Sequence, residues 1–149
     1  MKSLRIIAVA LTAVLALAGC APAQTPIDGK VKIVAATNVW GSITNSVGGN
    51  LVEVTSIIDS VKKDPHSYEA TARDQLAVEK ANLVIANGGG YDNFVEKMAQ
   101  AAGNKKILNI ASAVTAVSAQ RNEHLWYSIT AVGEATYAIA DTLGEIDPD

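Results

Sequence analysis

The sequence predicts an α/β domain built on a four-stranded, mainly parallel sheet with helices on both faces. Short apolar runs alternate with segments of helical periodicity between Val31 and Leu143, and strands separated by helices pair in parallel. Runs such as Leu83-Val84-Ile85-Ala86 are apolar throughout, as in strands covered on both sides. Glycine clusters at Gly48-Gly49 and Gly88-Gly89-Gly90 punctuate the pattern where one element must give way to the next.

Val31 to Ala36 reads as a buried strand, and Trp40 to Val47 as a short helix closed by Gly48-Gly49. A second strand comes next at Leu51 to Ile58. The polar loop Asp59 to Tyr68 leads to Thr71-Ala72-Arg73-Asp74, a threonine with an acid three residues later, which matches a capping box opening a helix to about Ala81. Leu83 to Ala86 is the third strand, ending at Asn87 and the glycines. Phe94, Val95, Met98 and Ala102 then recur at helical spacing. Lys106 to Ile110 is the fourth strand. Ala111 to Asn122 has small residues and little pattern, and Val132, Ala135, Ile139 and Leu143 mark a last amphipathic helix.

Ahead of this domain, Lys2 and Arg5 precede the uncharged apolar run Ile6 to Ala18, and Leu17-Ala18-Gly19-Cys20 closes it with small residues. That is the layout of a secretory signal. The run is shorter than the roughly 20 residues a membrane span needs, and Pro22 and Pro26 prevent its extension. Residues 1–20 are therefore expected to be a signal peptide, 21–30 a tether, and 31–149 the folded domain. Cys20 is the only cysteine, so an internal disulfide is excluded.

The leader carries two basic residues and no acid, so the chain beyond Cys20 is more acidic than the formal charge of -3 for the whole sequence. An acidic domain without a lysine or arginine cluster is a poor partner for nucleic acid, where phosphate contacts dominate affinity. It is compatible with cations.

In a parallel sheet ligands gather at the carboxyl ends of the strands. Both histidines fall in loops of that kind: His66 in Asp64-Pro65-His66-Ser67-Tyr68-Glu69, and His124 in Asn122-Glu123-His124-Leu125-Trp126. Neutral imidazole is the commonest ligand for transition metals. Spacing alone leaves open whether the two share an ion, because no short metal motif is present. Asp64 and Glu123 lie within two residues of a histidine and are candidates to take its ring hydrogen or offset an ion's charge, or are simply solvated acids. Trp126 comes after His124 at strand spacing, as a cleft wall or a core residue.

Asp64-Pro65-His66-Ser67-Tyr68-Glu69-Ala70-Thr71, Asn87-Gly88-Gly89-Gly90-Tyr91-Asp92 and Asn122-Glu123-His124-Leu125-Trp126-Tyr127 occur in the order and spacing of zinc and manganese solute-binding proteins of ABC importers. The chain resembles the amino-terminal lobe of that family. The resemblance implies a two-lobed, periplasmic-binding-protein-like fold with the metal between the lobes, and His66 and His124 as the two ligands from the first lobe. It expects the other two ligands from a second lobe, absent from a chain ending at Asp149. Glu69 matches the family's pattern after His66, either as a structural residue or to orient the site. Leu17-Ala18-Gly19-Cys20 resembles a lipobox, which implies lipidation at Cys20 and a lipid anchor on the extracytoplasmic face of the membrane. The implied cargo is Zn2+ or, second, Mn2+, and the implied partner is the permease of an ABC importer. Where the family often has Asp-Pro after the second histidine segment, this chain has Ser128-Ile129.

The glycine run also raises a nucleotide-binding reading, since it joins a strand to a helix. Asn93 breaks the G-x-G-x-x-G pattern and no lysine-hydroxyl pair comes after it. A tight turn accounts for it. No nucleophile elbow or cysteine-histidine pair points to an enzyme. The alternative to importer delivery is a stand-alone metal-buffering or chaperone lipoprotein using the same two histidines.

Overall fold

A computed structural model describes residues 29–116 and 122–148. Cys20, its leader and the tether up to Asp28 lie outside the described residues.

Strand β1 (Val31–Thr37) buries every residue except Lys32, and β3 (Leu83–Ala86) buries all four. They are the two central strands. With β2 (Val52–Ile58) and β4 (Ile107–Asn109) they form one sheet in the order β2-β1-β3-β4, every pair parallel. Val31 is opposite Val52, Ile33 opposite Leu83, and Val84 opposite Ile107. Winding reverses between β1 and β3, so a crevice opens beyond their carboxyl ends.

Helix α1 (Asn38–Gly48) covers one face of the sheet, α2 (Ala72–Lys80) and α3 (Asn93–Ala101) the other. The short α4 (Ile110–Ala113) and the long α5 (Ile129–Ile146) complete the first face. There Ile33, Trp40, Ile85, Leu125 and Ile139 interdigitate, while Val34, Val84, Val78, Phe94 and Val95 fill the second face. A large apolar side chain taken fully from water stabilises the fold by about 1.5–3 kcal/mol. These two layers are what hold the loops in place. At the start of α2 the capping box forms in full: Thr71 Oγ1 accepts from the Asp74 N–H, and the Asp74 carboxylate accepts from the Thr71 N–H.

Three local expectations need correction. Leu51 is not in β2 but in a 3-10 turn, Gly49–Leu51, where it is 60% exposed. The fourth strand stops at Asn109, because the Asn109 side chain accepts from the Ser112 N–H and caps α4 in place of extended chain. Trp126 sits in a 3-10 turn, Leu125–Tyr127, so it does not relate to His124 as strand neighbours do.

The glycine run is a tight turn. Gly88, Gly89 and Gly90 all have positive φ, and a Cβ on Gly88 would collide with the Asn109 amide. Two amides that a phosphate cradle would present, those of Asn87 and Gly88, already donate to the Asp92 carboxylate at 2.7 and 2.9 Å.

Candidate metal centre

The loop bearing His66 leaves β2 and makes one 3-10 turn, Pro65–Ser67. Asp64 organises it. Its Oδ1 accepts from the His66 backbone N–H at 3.1 Å and lies 3.2 Å from His66 Nδ1, while Oδ2 accepts from the Ser67 hydroxyl. Tyr68 then ties the turn down, packing on Phe94 with ring centroids 4.8 Å apart and donating from its hydroxyl to Asp74.

At the other histidine the same device recurs with an amide. Asn122 Oδ1 accepts from the His124 N–H at 3.0 Å and lies 2.9 Å from His124 Nδ1. An atom that accepts from a backbone N–H must be the amide oxygen, which settles the orientation of Asn122. Both ring contacts therefore go to pure acceptors. In the neutral tautomer with its hydrogen on Nδ1, each ring would keep the Nε2 lone pair for a ligand.

What brings the two loops together lies beneath them. Asn87, fully buried at the end of β3, accepts from the Trp40 indole N–H at 2.8 Å and donates to the carbonyls of Gly88 and Glu123 at 3.0 and 2.9 Å. The last of these bonds pins the backbone next to His124 onto the sheet. The Glu134 carboxylate holds the chain before that loop, accepting from the Thr115 hydroxyl and the Ala116 N–H.

Glu123 Oε1 lies 3.4 Å from His66 Nε2 and 3.8 Å from His124 Nδ1. The structure thus brings both histidines to one carboxylate oxygen. Tyr91, in the turn after β3, stands between the rings, edge-on to His66 at 5.0 Å and to His124 at 5.7 Å. His66 borders a hollow of about 450 Å³ with Tyr68, Asn93 and Lys97; His124 borders another of about 450 Å³ with Thr37, Tyr91 and Trp126. Trp126 packs edge-on against His124 at 5.1 Å and against the core, so it serves both as wall and as packing. Glu69 is exposed and makes no hydrogen bond or ion pair to either histidine among the described residues.

Electrostatics agree with this geometry. The His66 backbone N–H, then its ring and Ser67, hold Asp64 below the usual carboxylate range. Glu123 is lowered by its own backbone N–H and by the two imidazoles. Both acids are anionic where a cation would arrive. Burial pushes the Tyr91 hydroxyl up, with the charges of Asp92, Asp64 and Glu123 adding to it.

Asn122, Asn87 and Tyr91 are site residues that motif and spacing did not single out. The signal for Asn122 was present: Asp-x-His and Asn-x-His repeat one spacing at both histidines. Asn87 gave no such signal, because its partners Trp40 and Glu123 are remote in sequence.

The chain is similar to proteins of known sequence and structure. The manganese-binding lipoprotein MntA of Halalkalibacterium halodurans is 26% identical over 139 residues, covering 89% of this chain and 46% of that protein. The metal ABC transporter substrate-binding lipoprotein SsaB of Streptococcus sanguinis is 28% identical over 165 residues, covering 100% of this chain and 53% of its own length. The chain spans about half the length of these relatives. A crystal structure of ZnuA superposes with a TM-score of 0.71 at 28% identity, over 82% of this chain and 49% of that one. Since the zinc-uptake complex component A (ZnuA, periplasmic) family matches residues 33–149, the chain belongs to this family of metal-binding ABC transporter substrate-binding proteins.

Proposed function

We propose that the chain captures a divalent metal ion through His66 and His124 and presents it to an ABC importer from the extracytoplasmic face of the membrane. The observation that carries this reading is the pair of matched histidine turns, each directing Nδ1 to a side-chain acceptor. A donor set of two imidazoles beside a carboxylate suits zinc, whose bonds to nitrogen are about 2.0–2.1 Å and to oxygen about 2.0–2.2 Å. Imidazole-rich sites bind zinc more tightly than manganese. Manganese stays as the second candidate because relatives at 26–28% identity are named for it.

In this mechanism the ion sheds water onto two preset lone pairs, and the rings need no change of tautomer. Asp64 and Glu123 draw the cation in and offset its charge. Further ligands come from water or from protein groups outside the described residues. The chemistry is capture and release, with no bond made or broken in a substrate. A lipid on Cys20, with residues 1–20 removed and 21–30 as tether, would hold the domain near the permease.

Titration calorimetry with zinc and with manganese on the wild type, His66→Ala and His124→Ala tests the site. Each substitution is expected to weaken zinc binding at least tenfold. Unchanged binding in both variants would place the affinity on surface acids and remove the basis of the proposal.

A further inference from the structure

The hollow of about 450 Å³ that His124 borders is larger than a bare ion needs and falls in the range of small-molecule sites. Its walls come from the ends of three strands: Thr37 and Val39 at the end of β1, Lys63 and Asp64 after β2, and Tyr91 after β3. Trp126 closes the side next to His124. This is the crevice where the winding reverses, the usual place for a ligand in a parallel sheet.

We infer that this hollow is a subsite for a small organic carboxylate, its charged end at the amino terminus of α1 beside the Thr37 hydroxyl and its carbon frame against Tyr91 and Trp126. The inference stands apart from the proposed metal site, since none of these groups is a proposed metal ligand.

Two independent observations place the charged end. The first is the start of the helix. α1 is 11 residues long and Thr37 is its N-cap, yet the Thr37 side chain makes no cap bond and the first turn holds no acid. At α2, Thr71 and Asp74 cap in full. A helix start without such a cap offers amide hydrogens and partial positive charge, which an oxyanion satisfies. The second observation is the hydroxyl itself. Thr37 is 4% exposed, and its Oγ1 is the one buried side-chain polar atom without a hydrogen-bond partner among the described residues. Buried polar groups are nearly always paired, so an orphan hydroxyl bordering a hollow marks where a ligand's polar atom belongs.

Charge and shape select the class. The α1 terminus is worth about half a positive charge, and Lys63 borders the hollow, paired to Asp59 at 3.6 Å in an exposed contact that holds it only weakly. Asp64 borders it too, and its oxygens, engaged by the His66 N–H, the His66 ring and Ser67, limit how much further negative charge fits. One negative charge suits this balance better than the roughly two of a phosphate group. Val39, Val61, Tyr91 and Trp126 add apolar wall that a bare inorganic anion would leave unused. A carboxylate on a carbon frame uses both parts.

Titration with benzoate in the absence of added metal, followed by amide-resolved NMR, tests this, with benzyl alcohol as the uncharged counterpart and inorganic phosphate as the bare anion. Benzoate is expected to shift the Asn38, Val39 and Trp40 amides saturably, and benzyl alcohol to bind at least about tenfold more weakly. Thr37→Val keeps the shape and removes the orphan hydroxyl. It should weaken benzoate about tenfold, the loss of one hydrogen bond to a charged group, while its urea midpoint stays equal or rises. Thr37→Ser should bind like the wild type, and zinc affinity should be the same in Thr37→Val as in the wild type. Equal binding of benzoate and the alcohol, or no saturable shift at these amides, overturns the inference on the wild type alone, whatever the variants do. Unchanged benzoate affinity in Thr37→Val, equal loss in Thr37→Val and Thr37→Ser, or phosphate binding tighter than benzoate overturns it as well, and each of these leaves the histidine site standing.

Discussion

Replacing Asn87 with alanine should unlock the site from below while touching neither histidine. The side chain is fully buried and all its hydrogen-bonding groups are used: the oxygen takes the Trp40 indole N–H, and the two amide hydrogens go to Gly88 O and Glu123 O. Trp40 is itself fully buried, so its N–H would lose its acceptor at a point closed to solvent. An orphaned buried donor costs about 1–3 kcal/mol, and each net hydrogen bond lost about 1 kcal/mol. The Glu123 carbonyl keeps the Leu125 N–H, which recovers part of that loss. The expected destabilisation is about 2–4 kcal/mol, a large share of the ~5–15 kcal/mol that holds a domain of this size. Urea unfolding followed by tryptophan fluorescence reads it directly. Asn87→Asp should be no better at neutral pH, because it keeps an acceptor for Trp40 but sets a carboxylate oxygen against two carbonyls. A loss below about 0.5 kcal/mol for the alanine variant would refute the reasoning, since it would mean that Trp40 and the Glu123 loop are held by something else.

The same geometry yields two further outcomes. Burial raises Asp92 to about 6 in the folded state, against the bonds from Asn87 and Gly88 that favour its charge. A carboxyl whose folded pKa lies above its unfolded value contributes stability that is present below about pH 4 and lost as pH rises through about 6. That contribution is about 3 kcal/mol across the window, opposed by the lowered Asp64, Asp74, Glu123 and Glu134. Carbon-detected NMR titration of the Asp92 carboxyl should place its midpoint near 6, and a midpoint in the ordinary carboxylate range would contradict it. Asn122→Ala should weaken zinc binding by about 10-fold or more through loss of ring orientation, with unfolding free energy changed by less than about 0.5 kcal/mol at this exposed position; equal affinity in calorimetry would show that the amide does not set the ring.

The fold was legible because its determinants are periodic and local. The all-apolar run at Leu83 and the run from Val31, interrupted only by Lys32, marked buried strands, and the Thr71-x-x-Asp74 pattern marked the start of α2. Boundaries failed where a side chain intervened: the Asn109 cap ended β4 early, and Leu51 turned outward in the 3-10 turn after Gly48. At the site, the histidines and Glu123 were visible as residue types in loops after strands. Their mutual placement was not, because it depends on Asn87 reaching from β3 to a carbonyl 36 residues along the chain. No spacing rule encodes that bond.

The two halves of the site are thus specified at different ranges. Each ring's tautomer is set within three residues, by Asp64 or Asn122, and would persist in any loop that kept the turn. The separation of the rings depends on the sheet, through β2 carrying one loop and Asn87 clamping the other. On the proposed reading the imidazoles are aimed before an ion arrives, and binding free energy should come mainly from replacing water on the metal, with little left to the ordering of the chain. A site assembled by the metal would show coupled folding, with binding and unfolding shifting together. Here zinc should raise the unfolding temperature only by mass action on an already folded domain, so circular dichroism should show the same helix and strand content with and without the ion.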